Sequence, residues 1–552
     1  MNRWILSAFC TVFLFTVCGA GVGLQAAETW QAAGEHAAVA AGGPEAAEVA
    51  IAVLQCGGNA ADAAVASLLV LSVTDSANFC FGGEVPILVY DAKQGNVKVI
   101  CGQGAAPRMA TVEYFAKHKG GRIPGANDPT TAAVPGALDA CLTLLDRYGT
   151  KTFGEMAAPT LKILDRGGKP WSANMAKTLR RLVEAEKAAG GDRAHGLRLV
   201  ADYFYRGPLA KELDAWSRSS GGLIRYEDLA GHITPIEEPV SIDYRRHTIA
   251  KCGPWTQGPF LLQTLRLLEE FDLKSMGHNR LDYVHVLVEA MKLSLADRDT
   301  YYADPRFVKV PLTELLSPEY AELRRGLIDL KNASLELRPG NPLAGKALLG
   351  KSPQDYRTPA GPIRDTTTCL VADRFGNVVA ATPSGWAGVL AGDTGVILGS
   401  RLRSLNTWRG HPNCIAPGKR PRNTLTPTIV LKEGKPVAAI SVAGGDQQDQ
   451  VTLQVLLSYL EFGKSPAEAV TAPRFVTDHL VGSFNQPPPK LGSLSLYQSI
   501  GEATIEALEA RGHCVTIARP PLAHPVMLVI DPATGRKQAA GDPKAKRHAR
   551  AY

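Results

Sequence analysis

Three consecutive threonines, Thr366-Thr367-Thr368, stand where a segment rich in proline and glycine meets a strand-like run. A threonine hydroxyl needs a base before it can attack an amide. One enzyme class takes that base from the threonine's own α-amine, which is freed when the chain is cut just before the residue. An α-amine titrates near pH 7.7–8 and is therefore partly neutral at physiological pH. A threonine-rich strand start is also ordinary β-propensity, so the run alone leaves both interpretations open.

Two later segments carry groups that such a nucleophile would need. The run Val442-Ala443-Gly444-Gly445-Asp446 ends an apolar strand with two glycines. Adjacent backbone N–H groups that are free of side chains can stabilise an oxyanion, although a plain turn is the simpler interpretation. The polar loop 419–428 leads into another strand, and its Asn423 and Thr424 are candidates for hydrogen bonds to a substrate.

Other reactive signatures are absent from the sequence. It contains no G-x-S-x-G, S-x-x-K, Walker or H-E-x-x-H motif. The cysteines beyond residue 27 are scattered, with no C-x-x-C pair and no histidine at ligand spacing, so we expect no metal centre and no cofactor. These cysteines either form one or two disulfides of unassigned pairing or remain buried thiols, as Cys369 inside a strand-like run suggests.

The elements that position these residues are clearest near the N-terminus. Residues 44–55 predict a helix with proline at its start and Gly57-Gly58 after its end. Asn59 is placed to cap a second, almost wholly apolar helix over 60–73. Residues 85–91 and 96–101 predict a β-hairpin, and the stretch 135–345 is mostly helical in pattern, with 261–271 and 281–297 the best-defined helices.

The pattern changes around residues 338–365, where proline and glycine predict an exposed linker. Beyond it the sequence predicts mainly strands, over 366–373, 378–382, 428–432, 437–442, 513–518 and 526–530, with helices over 451–462 and 466–470. Helices that flank two sets of antiparallel hairpins indicate an α/β fold with α/β/β/α layers.

The two ends of the chain carry separate signals. Residues 1–27 hold Arg3, an apolar run and a small-residue ending, which is typical of a secretory signal peptide. The apolar run is too short to span a bilayer, so we expect removal and a periplasmic or secreted protein, with lipidation at Cys18 as the alternative. Four cations near the C-terminus, Lys544, Lys546, Arg547 and Arg550, predict a solvated tail rather than a nucleic-acid site.

The whole chain is globular in composition. Its 552 residues are 45% apolar and 20% charged, with a net charge of +7, which excludes a disordered or fibrous protein. We therefore expect one sizeable core and no partner among nucleic acids or membranes.

Taken in order, these segments resemble the γ-glutamyltransferase family of N-terminal nucleophile hydrolases, and the likeness covers nearly all of the mature chain. Residues 55–65 are similar to the family's G-G-N-A-x-D-A-A-V block. Further matches lie at 82–83, 133–136, 148–150, 221–229, 302–305, 376–377, 419–421, 472–475 and 542–543. The resemblance implies an αββα sandwich of antiparallel sheets. It also implies a signal peptide over 1–27, a large subunit over 28–365 and a small subunit over 366–552, which stay together after self-cleavage.

The resemblance also assigns catalytic roles. It makes Thr366 the nucleophile, with the cut after Asp365, and Gly444 and Gly445 the oxyanion-hole pair. Ser384 falls where the family has a hydroxyl residue that supports the nucleophile. Thr366 would attack the preceding carbonyl, move the acyl group from nitrogen to oxygen, and release its amine when the ester hydrolyses.

The residues expected to hold a γ-glutamyl group depart from the family pattern. Gln103 stands where the family has an arginine, and Trp386 where it has an asparagine. Arg401 takes the place of an amide and Ser404 that of an aspartate. Two serines of the family are replaced by Asn423 and Thr424. Losing the bidentate carboxylate partner and the counter-charge of the ammonium weakens recognition of that headgroup. Arg401 instead favours an anionic acyl group, and Trp386 a flatter or larger one.

We therefore expect an exported, self-processing threonine amidohydrolase or acyltransferase that acts on small acyl amides or peptides, with an altered acyl specificity. One alternative is a conventional glutathione-degrading γ-glutamyltransferase whose headgroup contacts lie at other residues. The alternative from another class is an inactive shell that binds a ligand without turnover.

Overall fold

The structure is a computed structural model that describes residues 29–349, 366–385 and 388–552. The predicted signal peptide, the predicted cut after Asp365 and the candidate Trp386 lie outside these residues. The strands are β1 (Gln31–Gly34), β2 (Ala38–Ala41), β3 (Val85–Asp91), β4 (Asn96–Gly102), β5 (Ile236–Glu237), β6 (Val240–Tyr244), β7 (His247–Lys251), β8 (Cys369–Ala372), β9 (Val378–Ala381), β10 (Val389–Leu390), β11 (Ile397–Leu398), β12 (Thr428–Lys432), β13 (Lys435–Ala443), β14 (Phe475–Val476), β15 (Ser493–Leu496), β16 (Cys514–Ile517), β17 (His524–Ile530), β18 (Lys537–Gly541) and β19 (His548–Ala551).

The α-helices are α1 (Pro44–Gln55), α2 (Ala60–Thr74), α3 (Val112–His118), α4 (Ala137–Tyr148), α5 (Phe153–Asp165), α6 (Ser172–Lys187), α7 (Arg193–Tyr205), α8 (Pro208–Ser219), α9 (Tyr226–Ala230), α10 (Gly258–Leu268), α11 (Leu273–Met276), α12 (Leu281–Tyr301), α13 (Leu312–Leu315), α14 (Pro318–Arg325), α15 (Gln448–Leu460), α16 (Pro466–Thr471) and α17 (Glu502–Ala510). None of the described helices is long and apolar enough to cross a membrane.

Two seven-stranded antiparallel sheets form the centre of the molecule, in the orders β19-β2-β8-β9-β3-β4-β5 and β1-β18-β17-β13-β12-β7-β6. Leu88, Val99 and Leu370 of the first sheet share a buried cluster with Ile429 and Leu528 of the second. The helices α1, α2 and α4 to α9 cover the outer face of the first sheet, whereas α10, α12 and α15 cover the second. This arrangement confirms the predicted αββα sandwich.

Strands from both sides of residue 366 alternate in these sheets. β8 and β9 lie between β2 and β3, and β12 pairs with β7. A cut before Thr366 would therefore leave two polypeptides that share both sheets and every layer of core. Their separation would expose a whole sheet face, because neither part can bury its strands alone.

Local sequence patterns place the early elements correctly. α1, β3 and β12 have the predicted bounds, and α2 extends the predicted helix by one residue. Asn59 caps α2 as expected, since its side chain accepts the N–H groups of Ala61 and Asp62. Asp62 is itself buried and accepts the hydroxyl and N–H of Thr150, which ties α2 to the turn before α5.

Three predictions need correction. The described part of the predicted linker, 338–349, is anchored rather than free, because the N–H of buried Gly340 donates to Asp297 and its carbonyl accepts the Tyr301 hydroxyl. The strand predicted from residue 366 begins at Cys369, after the threonines. The basic C-terminus is not a solvated tail, because β19 pairs with β2 and Arg547 is buried, 3.7 Å from Asp75.

Candidate active site

Thr366 lies three residues before β8, an interior strand of the first sheet, and is fully buried. Its N–H donates to the carbonyl of Asn78, which follows α2, over 3.2 Å. Its φ is +81°, a region that a β-branched residue adopts only under strain of about 1–3 kcal/mol. The residue that sequence analysis selected as the nucleophile is therefore held in an unfavourable conformation by its surroundings.

Gln448, the first residue of α15, contacts the Thr366 hydroxyl and was missed by sequence analysis. The orientation of its amide that satisfies its neighbours places Oε1 3.2 Å from Thr366 Oγ1 and 3.3 Å from the N–H of Gly445. Nε2 then donates to the carbonyls of Val442 and Thr424, over 2.8 and 2.9 Å. The sequence feature that could have pointed to Gln448 is an amide side chain three residues after a Gly-Gly pair, at the start of a helix.

Gly444 and Gly445 form the turn between β13 and α15, and both have positive φ, +137° and +58°. A Cβ on Gly444 would lie 3.0 Å from the Cα of Ala523, a tight contact, and the positive φ would strain any residue other than glycine there. The two glycines line a cavity of about 490 Å³ together with Asn78 and Phe484. The carbonyl of Asn78 accepts the N–H of Thr366, so one residue of the cavity lining is bonded to the candidate nucleophile.

Asp446 anchors this turn through a buried ion pair. Its Oδ1 accepts from Arg298 of α12 over 2.7 Å, and its Oδ2 accepts the N–H of Ser483 over 2.8 Å. Burial would raise the pKa of Asp446, but Arg298 and the Ser483 hydrogen bonds hold it below its ordinary value. The carboxylate thus stays charged and holds the glycine turn against α12.

The titratable side chains of the cavity do not offer an obvious base. His524 lines it, but burial first, and then Arg547 and Arg474, lower the pKa of His524 to about 3. Its Nδ1 accepts from Arg547 over 3.1 Å. Asp446 is committed to Arg298, and Asp478, which also lines the cavity, pairs with Lys490 over 2.9 Å. An α-amine at residue 366 would supply a base without any of these three side chains.

Ser384 is buried beside the same region, and its hydroxyl oxygen accepts from Arg401 over 2.9 Å. The preceding carbonyl, of Pro383, accepts the N–H of Thr367 over 2.9 Å, so this segment runs next to the threonines. Arg401 is also paired with buried Glu84, over 2.7 Å from Nε to Oε1. Ser404 lies 3.4 Å from the other end of the same guanidinium.

The pairing of Arg401 bears on its predicted role. Its positive charge alone predicts a partner for an anionic acyl group. In the structure Glu84, equally buried, already neutralises it. The geometry therefore does not favour that interpretation.

The remaining candidates form a continuous chain of contacts toward Thr366. The Nδ2 of Asn423 donates to Oε1 of Gln103 over 2.9 Å, while Nε2 of Gln103 donates to Gly104. Thr424 follows Asn423, and its carbonyl oxygen accepts a hydrogen bond from Nε2 of Gln448. Gln103 and Asn423 are buried and satisfy one another, which leaves no cationic group at the position where the family pattern expects an arginine.

The possible metal ligands and the cysteines were compared over the residues that the structure describes, 29–349, 366–385 and 388–552. Within them no three His, Cys, Asp or Glu side chains are grouped so as to hold a metal ion. The eight cysteines that the structure describes are free thiols.

Known proteins resemble this chain over most of its length. The family model described as gamma-glutamyltranspeptidase matches residues 46–190 and 172–552. A glutathione hydrolase proenzyme from Bacillus subtilis (strain 168) is 32% identical over 81% of this chain and 81% of its own. The acylase ACY 1 proenzyme from Pseudomonas sp. (strain SE83) is 32% identical over 88% of both chains.

The crystal structure of a cephalosporin acylase from Bacillus halodurans superposes with a TM-score of 0.80 and 26% identity, covering 95% of this chain and 97% of its own. The fold is thus that of an N-terminal nucleophile hydrolase. On these matches, which extend over most of its length, the chain belongs to the γ-glutamyltranspeptidase family.

Proposed function

We propose that the chain is an exported precursor that cuts itself before Thr366, and that the mature enzyme then cleaves or transfers an acyl group through an ester on Thr366. Residues 366–552 would form the small subunit and residues 28–365 the large one. The acyl group differs from γ-glutamyl, and the enzyme acts in the periplasm or outside the cell.

The observation that carries this proposal is the setting of Thr366. Its hydroxyl lies 3.2 Å from the Gln448 amide, which also binds the N–H of the oxyanion-turn residue Gly445. Its φ of +81° stores strain at the bond to be cut, and a shift of the acyl group from nitrogen to oxygen relieves it. Two relatives that share this family are named proenzymes.

The altered acyl specificity is supported by the charges of the candidate acyl-binding residues. A glutamyl headgroup carries a carboxylate and an ammonium, and each needs a buried counter-charge. Gln103 and Asn423 are neutral and bonded to one another, and Arg401 is neutralised by Glu84. Relatives of comparable identity carry the names glutathione hydrolase and acylase, so the family accommodates both.

The self-cleavage is tested on the purified chain by denaturing electrophoresis and N-terminal sequencing. We expect two bands, the smaller of which begins at Thr366. Thr366→Ala should give one full-length band, whereas Thr366→Ser should still be cut, because serine keeps the hydroxyl. A single wild-type band that Thr366→Ala leaves unchanged would contradict the proposal and favour an inactive, ligand-binding shell.

The acyl specificity is tested with a matched series of anilides bearing γ-glutamyl, 4-carboxybutanoyl and butanoyl groups. The 4-carboxybutanoyl group lacks the α-amine of the γ-glutamyl group, and the butanoyl group carries no charge. The scissile amide bond is the same in all three anilides. We expect kcat/KM for the γ-glutamyl anilide to be the lowest of the three. If it is the highest, the enzyme is a conventional glutathione-degrading transferase instead.

A further inference from the structure

Lys251 and Asp449 form a buried ion pair next to the candidate active site. The Nζ of Lys251 lies 2.7 Å from Oδ1 of Asp449, and both side chains are fully buried. Lys251 is the last residue of β7, in the predicted large subunit, whereas Asp449 is the second residue of α15, in the predicted small one. The Lys251–Asp449 pair therefore joins the two predicted subunits inside the core.

The Lys251 ammonium has three acceptors, which lie on two separate segments. Besides Asp449, it donates to the carbonyl of Thr426 and to the hydroxyl oxygen of Thr428, each over 2.8 Å. The Thr426 hydroxyl donates in turn to Asp449 Oδ1 over 2.6 Å. An ammonium carries three protons, so these bonds use all of them. The ammonium thereby ties the start of α15 to the segment 424–428 at a fixed separation.

The same two segments hold the amide of Gln448. Gln448 directly precedes Asp449, and its Nε2 donates to the carbonyl of Thr424, two residues before Thr426, over 2.9 Å. Its Oε1 lies 3.2 Å from the Thr366 Oγ1. An amide that is bonded through both its nitrogen and its oxygen takes its orientation from its partners. A change in the separation of the two segments would therefore turn the amide away from the Thr366 hydroxyl.

The two charges of the pair depend on one another. Burial lowers the pKa of Lys251 and raises the pKa of Asp449, and in each group the charge of the partner is the largest opposing influence. Apolar residues of similar volume often stabilise a core as well as a buried ion pair does. The distinctive contribution of the pair is then the geometry that its directional bonds impose on the start of α15.

We propose that Lys251 and Asp449 are positioning residues that hold the Gln448 amide in register with the Thr366 hydroxyl, from across the predicted cut. The inference rests on the proposed role of Thr366. It assigns the large subunit a part in orienting the nucleophile, because Lys251 supplies the only cation of the pair.

The proposal is tested with Lys251→Met combined with Asp449→Asn, called here the pair variant, which leaves no unpaired charge in the interior. Glu289 and Lys292 form a second buried pair, with Nζ 2.6 Å from Oε1, and their further bonds lead to residues 334 and 338. Lys292→Met combined with Glu289→Gln is therefore the matched control. The rate of self-cleavage is measured for each protein, followed by kcat and KM of the cut protein for the butanoyl anilide.

We expect the pair variant to cut itself about 10- to 100-fold more slowly and to lose a similar factor in kcat, with little change in KM, because a displaced amide misaligns the nucleophile and not the bound acyl group. Gln448→Ala should lose as much. In the Gln448→Ala background the pair variant should lose no further activity, since its substitutions act through that amide. The control should keep the wild-type rates.

Two results would overturn the proposal. One is an unchanged cleavage rate and kcat in the pair variant. The other is a loss by the same factor with and without the Gln448 amide, which is what a general loosening of the core would give.

Should the pair variant fail to fold, Thr426→Val removes only the hydroxyl bond to Asp449 and keeps both charges. We then expect a loss of about 2- to 10-fold in both rates that disappears in the Gln448→Ala background, and unchanged rates would refute the proposal. A wild type that neither cuts itself nor turns over substrate would refute the proposed function. An active wild type with unaffected variants would refute only the role of the Lys251–Asp449 pair.

Discussion

Arg298 of α12 and Asp446, the residue after the two glycines, form an ion pair with Nη1 and Oδ1 2.7 Å apart. Arg298 also donates to the carbonyl of Val481, and Asp446 accepts from Ser483. The glycine turn proposed as the oxyanion hole, in the predicted small subunit, is thus held by a cation of the predicted large subunit. The geometry of the turn depends on a contact that no local sequence pattern specifies.

Asp446→Asn should lower kcat by about 10- to 100-fold with a smaller change in KM, because it loosens the turn whose N–H groups we propose as the oxyanion hole. Steady-state kinetics on the best anilide of the series checks this. Asp282→Asn, which removes a surface ion pair with Arg511 from the same helix α12, is the control and should have wild-type kinetics. An Asp446→Asn enzyme with normal kcat would show that the ion pair serves stability alone.

Gln448→Glu should slow both self-cleavage and turnover. The Gln448 Nε2 donates to the carbonyls of Val442 and Thr424, and a carboxylate oxygen there would face two acceptors. The rate of appearance of the two bands on a gel, followed after synthesis of the chain, measures the first effect. Normal cleavage in this variant would mean that the amide does not orient the Thr366 hydroxyl.

Gly444→Ala should abolish most activity, because its φ is +137° and its Cβ would lie 3.0 Å from Ala523. Gly434 in the turn between β12 and β13 has a φ of +75° with nothing near its Cβ. Gly434→Ala should therefore cost stability of about 1–2 kcal/mol in thermal unfolding and leave kcat unchanged. Equal loss of activity in the two variants would contradict a specific role for Gly444.

The free energy of unfolding should fall as the pH is lowered from about 6.5 towards 4. Burial, followed by Lys292, lowers the pKa of His479 to about 4. Its Nδ1 accepts the N–H of Gly492 over 2.9 Å, a bond that requires the neutral ring. The folded state thus binds fewer protons than the unfolded state within this interval, so the stability present above pH 6.5 is lost progressively as the pH falls.

Thermal melts at a series of pH values measure this effect. His479→Gln should make the decline of Tm with falling pH shallower than in the wild type. Replacing the exposed His118 by glutamine is the control and should leave the slope as it is. If His479→Gln and the wild type have the same slope between pH 6.5 and 4, His479 does not titrate as expected.

Much of the fold was predictable because its signals are local. A proline start, an asparagine cap and an apolar surface define α1 and α2 within a few residues of chain, and alternation defines the β3–β4 hairpin. The order of short motifs along the chain identified the family, and the resemblance to it predicts catalytic roles for Thr366, Gly444 and Gly445. Arg547 shows the limit of such reasoning, since its charge predicted solvent exposure and its partner Asp75 lies at the distant end of α2.

Hydrophobic periodicity and motif order were enough to predict the αββα layers and the family, because neither depends on knowing which segments touch. The contacts of the polar residues in the site follow from the packing of distant segments and could not be predicted in this way. Glu84 pairs with Arg401 although the two residues are 317 positions apart in the sequence. Gln448 contacts Thr366 across 82 positions. Burial makes the free energy of a charge or an amide depend on its partner, and the partner is brought there only by the packing of the two sheets.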